Sequence, residues 1–331
     1  MMSVDINRGA VEPPDEQKDQ PAAYPPDKGL SNENVDPAEL LLAQTTPLEP
    51  LPEQPAGLPI DRVAAGAARG ESRKTYLRAA RCSSVGPVRP RNEDACLTLV
   101  AQSEGNGPVP HFGLFLVADG MGGHHDGHIA SQLVSRVFAE HIMRTLYLPL
   151  LRAEEPMSRR PVQEVMEEAV QLANKALYRP EQDQVMGTTL TAALILGSRL
   201  FVAHVGDSRA YVLHGEQLST VTTDHTLVQA LQEAGELTVE EAASHPSRSL
   251  LYRALVGEEV EQIDIFSRSL PAEGMLMLCS DGLWGSVPET ELQAVLRAAG
   301  SLQDKAEKLV QMAVAAGGHD NITVVLVDFQ V

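Results

Sequence analysis

Three short apolar runs follow one another between residues 188 and 213 with only a few residues between them. They lie at residues 188–196, 200–205 and 210–213, and branched and aromatic side chains are frequent in them. Strands joined by such short connections pair with their sequence neighbours in antiparallel fashion. The pattern therefore predicts a meander of antiparallel strands.

The rest of the chain alternates further strand patterns with helical ones. Three more apolar runs, bounded by Gly, Asp or Asn as strands usually are, lie at residues 112–118, 275–279 and 322–329. Four stretches with helical character lie at residues 129–147, 162–178, 289–298 and 302–316. Residues 226–243 predict a small Glu-rich helical insertion with a break at Gly235. The fold class is therefore α+β, with antiparallel sheet between helices.

The first 70 residues differ from the remainder in composition. They contain 11 of the 22 prolines, and 12 acidic residues against 5 basic ones. Such a segment cannot bury enough apolar surface to offset the entropy of ordering it. We therefore expect residues 1–72 to form a disordered acidic, Pro-rich tail, with a short docking element at residues 38–43 as the alternative, and residues 73–331 to form the folded domain.

Charge and cysteine content exclude several classes of partner. The chain has 45 acidic and 26 basic residues and a formal net charge of −19, which repels nucleic acid and anionic lipid. Cys82, Cys96 and Cys279 have no paired spacing, as is typical of reduced thiols. Neither a secretory signal nor an apolar run long enough to span a bilayer is recognisable. We expect a cytoplasmic protein with no nucleic-acid or membrane partner.

Carboxylates recur where the predicted strands begin or end. They are Glu93, Asp94, Asp119, Asp207, Asp281 and Asp320, of which Glu93 and Asp94 precede a further short apolar run. If these strand ends converge, five or six carboxylates meet, and like charges so close cannot all remain ionised without cations between them. Oxygen ligands without histidine or thiolate pairs favour Mg²⁺ or Mn²⁺ over zinc. A single Asp-Gly pair indicates no more than a turn. The hypothesis of a metal site therefore rests on the occurrence of all these carboxylates at the ends of predicted strands.

Six motifs occur in a fixed order along residues 76–331. They are Gly86-Pro-Val-Arg-Pro-Arg-Asn-Glu-Asp94, Val117-Ala-Asp-Gly-Met-Gly-Gly-His124, Gly187-Thr-Thr-Leu190, Val205-Gly-Asp-Ser-Arg-Ala210, Ser280-Asp-Gly-Leu-Trp284 and Asp320-Asn-Ile-Thr323. This set resembles the PPM (PP2C-type) family of metal-dependent protein phosphatases in its bacterial branch. The resemblance implies a four-layer α-β-β-α sandwich of two antiparallel sheets flanked by helices. It also implies hydrolysis of phosphoserine and phosphothreonine in proteins by a water activated by two metal ions, Mn²⁺ or Mg²⁺, with a third, weaker metal site.

The same resemblance implies roles for individual residues. Asp119 would bridge two metal ions. The remaining ligands of these two ions would be Asp281, Asp320, the carbonyl of Gly120, and Glu93 or Asp94. Asp207 with Asp281 would hold the third metal ion, and Arg89 would bind the substrate phosphate. The catalytic residues would thus be Asp119, Asp281 and Arg89.

The sequence departs from the family pattern at several positions. His128 stands where bacterial relatives usually carry Glu, and a zinc site built from His124, His125 and His128 is the alternative interpretation of that stretch. Met121 stands where some relatives carry a histidine proposed as general acid. Residues 224–250 resemble the mobile flap of bacterial members, although residues 247–255 at its end depart from the usual form. Trp284 is expected to be a core residue.

Three other functions compete with the phosphatase hypothesis. A catalytically inactive binding protein of the same fold is disfavoured because the carboxylates are all present. A hydrolase with Ser208 or Ser280 as nucleophile lacks the G-x-S-x-G elbow. A phosphatase with a narrow substrate class, such as regulators of sigma factors, stays open. As partners we expect phosphorylated proteins and an opposing serine/threonine kinase, and we expect the protein to be a monomer.

Overall fold

The computed structural model describes residues 75–103, 109–121, 126–152, 160–178, 186–258, 260 and 262–331. The predicted tail, its alternative docking element, His124 and His125 lie outside the described residues. The element labels below follow chain order.

Five antiparallel strands form the first sheet, in the order β1-β12-β11-β8-β9. Their bounds are Tyr76–Ser84 (β1), Arg209–His214 (β8), Gln217–Thr220 (β9), Glu273–Cys279 (β11) and Ile322–Gln330 (β12). The long strand β12 pairs with β1 on one side and with β11 on the other. This pairing brings the start of β12 beside the end of β11.

The second sheet is also antiparallel, in the order β10-β7-β6-β3-β2. Its strands are Ala95–Ala101 (β2), Phe112–Ala118 (β3), Leu190–Leu196 (β6), Arg199–Val205 (β7) and Asp264–Ser269 (β10). A separate two-stranded ribbon joins Gly120–Met121 (β4) to Gly187–Thr188 (β5). The strand predicted over residues 188–196 is therefore divided at Thr189, because the Thr189 N–H donates to the carbonyl of Asp119 instead of to a strand partner.

Eight α-helices lie among the described residues. They are Gly127–Ile142 (α1), Leu148–Arg152 (α2), Val162–Lys175 (α3), Leu227–Glu233 (α4), Val239–Ser244 (α5), Asp281–Trp284 (α6), Glu289–Arg297 (α7) and Leu302–Ala315 (α8). A π-helical turn, Met143–Tyr147, connects α1 to α2, so the predicted helix continues past its expected end. The insertion consists of α4 and α5, with Gly235 between them at φ 75°. No helix in the described part of the chain is both long enough and apolar enough to cross a bilayer.

The inner strands are buried on both faces because each sheet has a sheet on one side and helices on the other. In β3, Leu114 and Leu116 pack toward α1 and α3, whereas Phe115 and Val117 pack between the two sheets. Successive strand residues point to opposite faces, so an uninterrupted apolar run is what a doubly covered strand requires. A third apolar layer lies between the first sheet and helices α7 and α8. The predicted α+β class and four-layer sandwich are confirmed.

Candidate active site

The aspartates at the strand ends lie near one another at one end of the sandwich. Asp119 directly follows β3, Asp281 begins α6 after β11, and Asp320 precedes β12. Burial raises the pKa of Asp119 well above its ordinary value, and the charges of Asp94, Asp281, Asp207 and Asp320 raise it further. The structure therefore brings together five of the six carboxylates that the sequence singles out.

Three other carboxylates of this cluster, Asp94, Asp207 and Asp281, also have raised pKa values. Burial, followed by the charge of Asp281, raises the pKa of Asp207 to about 8. Burial also raises the pKa of Asp94 to about 7 and that of Asp281 to about 6. The cause is the same in each case, because a buried carboxylate loses its hydration and is repelled by its neighbours. Such a cluster is costly in its ionised form unless cations compensate the charge.

Among the described residues, two buried carboxylate oxygens of this cluster have no hydrogen-bond partner. Ser280 donates to Oδ2 of Asp94 at 2.9 Å, but Oδ1 of Asp94 and Oδ1 of Asp281 are buried and unpaired. Within the described residues, no group of three or more His, Cys, Asp or Glu side chains is close enough together to bind a metal ion as it stands. The carboxylates thus share a region without converging on one point. Their all-oxygen chemistry and the two unpaired oxygens fit hard divalent cations.

Glu93 and the carbonyl of Gly120 meet at the start of α1. A Cβ placed on Gly127 would lie 2.8 Å from Oε2 of Glu93 and 2.9 Å from the carbonyl oxygen of Gly120. Only a residue without a side chain allows the helix backbone to approach these oxygens so closely. The sixth predicted carboxylate therefore lies beside the predicted carbonyl ligand.

Arg89 forms an ion pair with Asp320, with 2.6 Å between Nη2 and Oδ2. Half of the Arg89 side chain is exposed (50%). Arg89, Asp207, Asp281 and Asp320 line a cavity of about 580 Å³. Residues of the α4–α5 insertion also line this cavity. The predicted phosphate-binding arginine and three predicted metal-binding carboxylates thus face the same space.

Comparison with known proteins identifies the family. The protein phosphatase 2C family model matches residues 90–317. The serine/threonine phosphatase Stp of Listeria monocytogenes is 38% identical over 245 residues, which cover 73% of this chain and 92% of that protein. The serine/threonine protein phosphatase PstP of Mycobacterium tuberculosis is 38% identical over 256 residues, covering 76% of this chain and 45% of that protein.

The chain belongs to the protein phosphatase 2C family.

Solved structures of the family agree with this fold. The crystal structure of Mycobacterium tuberculosis PstP/Ppp is 38% identical, has a TM-score of 0.63, and covers 77% of this chain and 99% of that one. The catalytic domain of PstP in complex with two manganese ions has a TM-score of 0.62 at 35% identity, covering 78% of this chain and all of that one. The predicted family and enzyme class are confirmed, and the manganese ions bound by PstP are of the predicted type of cofactor.

Sequence analysis did not assign a role to Asn321, although it lies within one of the motifs. In this phosphatase its Oδ1 accepts from the Glu93 N–H at 2.8 Å, and its Nδ2 donates to the carbonyls of Val85 and Arg91, both at 3.0 Å. The side chain is buried and all three bonds reach one loop. Asn321 therefore fixes the loop that carries Arg89 and Glu93 onto the start of β12.

Two threonines that sequence analysis also left without a role fix the backbone of Asp119. The Asp119 N–H donates to Oγ1 of Thr189 at 2.9 Å, and the hydroxyl of Thr188 donates to the Asp119 carbonyl at 2.8 Å. Oγ1 of Thr189 also lies 3.0 Å from Oγ of Ser208. The Gly-Thr-Thr motif of the phosphatase thus links the Asp119 backbone to the residue that follows Asp207.

The two remaining expectations concern His128 and Trp284. Nδ1 of His128 lies 3.2 Å from Nη1 of Arg91, so this residue contacts the loop that carries Arg89. Trp284 is partly buried and packs against the apolar layer between the first sheet and helices α7 and α8, in line with the expectation. Its Nε1 donates to the Asp207 carbonyl at 2.9 Å, and the guanidinium of Arg209 lies 3.5 Å from the centre of its ring. The hydrogen bond of the indole N–H thus holds the ring beside Asp207.

Proposed function

We propose that this phosphatase hydrolyses phosphoserine and phosphothreonine in proteins with the help of bound Mn²⁺ or Mg²⁺. The observation that carries the proposal is the cavity in which buried, mutually repelling carboxylates lie beside a half-exposed arginine. Phosphate monoesters are dianionic and very slow to hydrolyse, so enzymes reach accelerations of up to about 10²¹-fold. A single general acid or base contributes only about 10²–10⁴-fold. A site for this reaction therefore needs concentrated positive charge.

The residues that would hold two metal ions are Asp119, Asp281, Asp320, the carbonyl of Gly120, and Glu93 or Asp94. When bound, the cations supply the activated water and neutralise the charge of the transition state. Asp207 with Asp281 would hold a third, weaker ion. The unpaired oxygens of Asp94 and Asp281 support this assignment, since a buried carboxylate oxygen without a donor is the kind of atom that a cation satisfies.

Arg89 would bind the phosphate of the substrate. Its guanidinium has five N–H donors in a planar fork, so the pair with Asp320 leaves donors for two phosphate oxygens. Asp320 holds the guanidinium at the edge of the cavity, which orients the phosphate against the carboxylate cluster. Because a water would attack the phosphorus directly and the serine or threonine hydroxyl would leave, no side chain of the enzyme would have to carry the phosphoryl group.

The proposal also covers the opposing enzyme, the oligomeric state and the cellular location of this phosphatase. We propose that the enzyme opposes a serine/threonine kinase, because its substrates are the products of such kinases. We propose that it acts as a monomer, with the folded domain beginning near residue 73. We also propose a cytoplasmic location, since the three cysteines are free thiols.

The test is hydrolysis of p-nitrophenyl phosphate and of a phosphothreonine peptide with Mn²⁺, with Mg²⁺ and with a chelator. Wild type is compared with Asp281→Asn and with Glu291→Gln, a matched loss of charge on the exposed start of α7. We expect metal-dependent turnover that is lost in Asp281→Asn and retained in Glu291→Gln. A folded wild-type protein that binds Mn²⁺ but hydrolyses neither substrate would overturn the proposal and favour an inactive binding protein.

A further inference from the structure

His225 lies where the α4–α5 flap joins the body of the domain. Its side chain is almost completely buried (2% exposed). The next residue, Thr226, forms an isolated bridge with Leu251, and the Leu227 N–H donates to the carbonyl of Leu250 at 2.9 Å. His225 therefore lies at the point where the two ends of the flap meet.

The backbone N–H and the backbone carbonyl of Gly206 are both hydrogen-bonded to His225. The His225 N–H donates to the Gly206 carbonyl at 2.7 Å, and the Gly206 N–H donates to Nδ1 of His225 at 3.0 Å. Gly206 has a φ of 115°, and a Cβ there would lie 2.5 Å from Cγ2 of Thr189. The residue before Asp207 is thus held in a conformation that other residues rarely adopt.

The two ring nitrogens of His225 have distinct roles. A backbone N–H can only donate, so Nδ1 must accept from Gly206, and in the neutral ring the proton lies on Nε2. Nε2 lies 3.2 Å from Oδ2 of Asp264 and donates to it. Nη1 of Arg253 lies 3.3 Å from Oδ1 of the same carboxylate. Asp264 therefore orients the imidazole, and Nη1 of Arg253 lies beside both groups, 3.2 Å from Nε2 of His225.

The exit of the flap is attached to the same residue. The Tyr252 N–H donates to the carbonyl of His225 at 3.0 Å, and the Tyr252 ring packs against the imidazole with 5.7 Å between centroids. Arg253 follows directly in the chain. His225 thus contacts the loop before Asp207, both ends of the flap and the first residue of β10.

We propose that His225, oriented by Asp264, is a positioning residue that fixes Asp207 and couples the flap to the carboxylate cluster. The inference rests on the proposed function, because it takes Asp207 to be a ligand of the weaker metal site. It adds that the occupancy of this site and the position of the flap depend on one buried imidazole. The partners that orient a metal ligand commonly change metal affinity or activity by about 10- to 100-fold when removed.

Two substitutions separate the roles of the ring nitrogens. His225→Asn places an amide oxygen near the position of Nδ1 and keeps an acceptor for Gly206. His225→Gln places an amide N–H near the position of Nε2, which keeps the bond to Asp264 and loses that acceptor. Asp264→Asn tests the orienting role while leaving the histidine in place. Leu309→Ala, in the apolar layer under α8, controls for a loss of stability alone.

The readouts are Mn²⁺ binding to the full-length protein, followed by electron paramagnetic resonance of free Mn²⁺, and kcat and KM for p-nitrophenyl phosphate. We expect His225→Gln to weaken the weakest Mn²⁺ site and to lower kcat by about tenfold or more, with Asp264→Asn changed in the same direction and His225→Asn within about threefold of wild type. Leu309→Ala should leave the Mn²⁺ isotherm unchanged.

The inference would be overturned if His225→Asn and His225→Gln changed Mn²⁺ binding and kcat equally. It would also be overturned if both His225→Gln and Asp264→Asn bound Mn²⁺ as the wild type does. If His225→Gln does not fold, as judged by circular dichroism, the comparison of Asp264→Asn with Leu309→Ala decides it. A wild-type protein without phosphatase activity would instead contradict the proposed function, and the Mn²⁺ isotherms would still decide the role of His225.

Discussion

Arg89 and Asp320 are in direct contact, with 2.6 Å between a guanidinium nitrogen and a carboxylate oxygen. The first is the residue expected to bind phosphate and the second is one expected to bind metal, and 231 positions separate them in the chain. The contact is possible because Asn321 ties the Arg89 loop to the start of β12. Phosphate binding and metal binding therefore depend on the same junction.

Replacing Arg89 by lysine should lower activity with little effect on stability. Lysine keeps the charge near Asp320 but cannot bind two phosphate oxygens in a planar fork. The loss of one charge-assisted hydrogen bond corresponds to about 1.5–3 kcal/mol, or on the order of 10- to 100-fold in kcat/KM. The measurement is steady-state kinetics on a phosphothreonine peptide. An unchanged kcat/KM in Arg89→Lys would show that Arg89 does not bind the phosphate.

Replacing Asn321 by alanine should destabilise the protein and also reduce its activity. The change leaves the Glu93 N–H and two carbonyls without partners, and a buried unsatisfied group costs about 1–3 kcal/mol. Urea unfolding and phosphatase assays measure the two effects. The matched control is Asn174→Ala, since buried Asn174 binds the Gly257 N–H and the Glu258 carbonyl. Similar losses of stability with equal losses of activity in both variants would contradict a specific role for Asn321.

The stability of the fold should depend on pH through His204. Burial lowers the pKa of this imidazole from 6.5 to about 3, and its ring nitrogens lie 2.9 Å from Oγ1 of Thr191 and 3.0 Å from the carbonyl of Thr223. Because the pKa is depressed in the folded state, the unfolded chain binds the proton first. The stabilising contribution is therefore present above pH 6.5 and is lost as the pH falls toward 3, with a limiting slope of about 1.4 kcal/mol per pH unit.

The His204 contribution is measured as a difference between two proteins. Urea unfolding of wild type and of His204→Gln from pH 8 to pH 5 gives the difference in their free energies of unfolding at each pH. This difference cancels the titration of the carboxylate cluster. We expect it to shrink below pH 6.5. A difference that stays constant over this range would mean that His204 binds its proton in the folded state.

Removal of residues 1–72 should leave catalysis largely intact. The predicted tail lacks the apolar content to form a core, and the described site is built from residues 89–320. The measurement is turnover of p-nitrophenyl phosphate by residues 73–331 with saturating Mn²⁺, compared with the full chain. Loss of folding or of turnover on truncation would show that the tail is part of the catalytic domain.

Local sequence patterns predicted the inner strands and missed three outer ones. Strands β3, β6, β7, β11 and β12 lie inside their sheets and carry apolar runs. The strands that escaped prediction, β1, β9 and β10, are all edge strands. Their side chains are mostly half-buried or exposed, so no apolar run marks them. An edge strand is defined by the partner it pairs with, and this partner is distant in sequence.

The sequence by itself determined the family, the order of the inner strands and the carboxylates that end or precede them. Those properties are local, because an apolar run followed by Asp-Gly is recognisable wherever it occurs. Only the tertiary structure decided which side chains hold these carboxylates in place. Asn321 bonds to a loop 228 or more positions away, and His225 bonds to Gly206 and Asp264. Such contacts form only when separate strands pack together, since buried polar groups then need partners that no local pattern specifies.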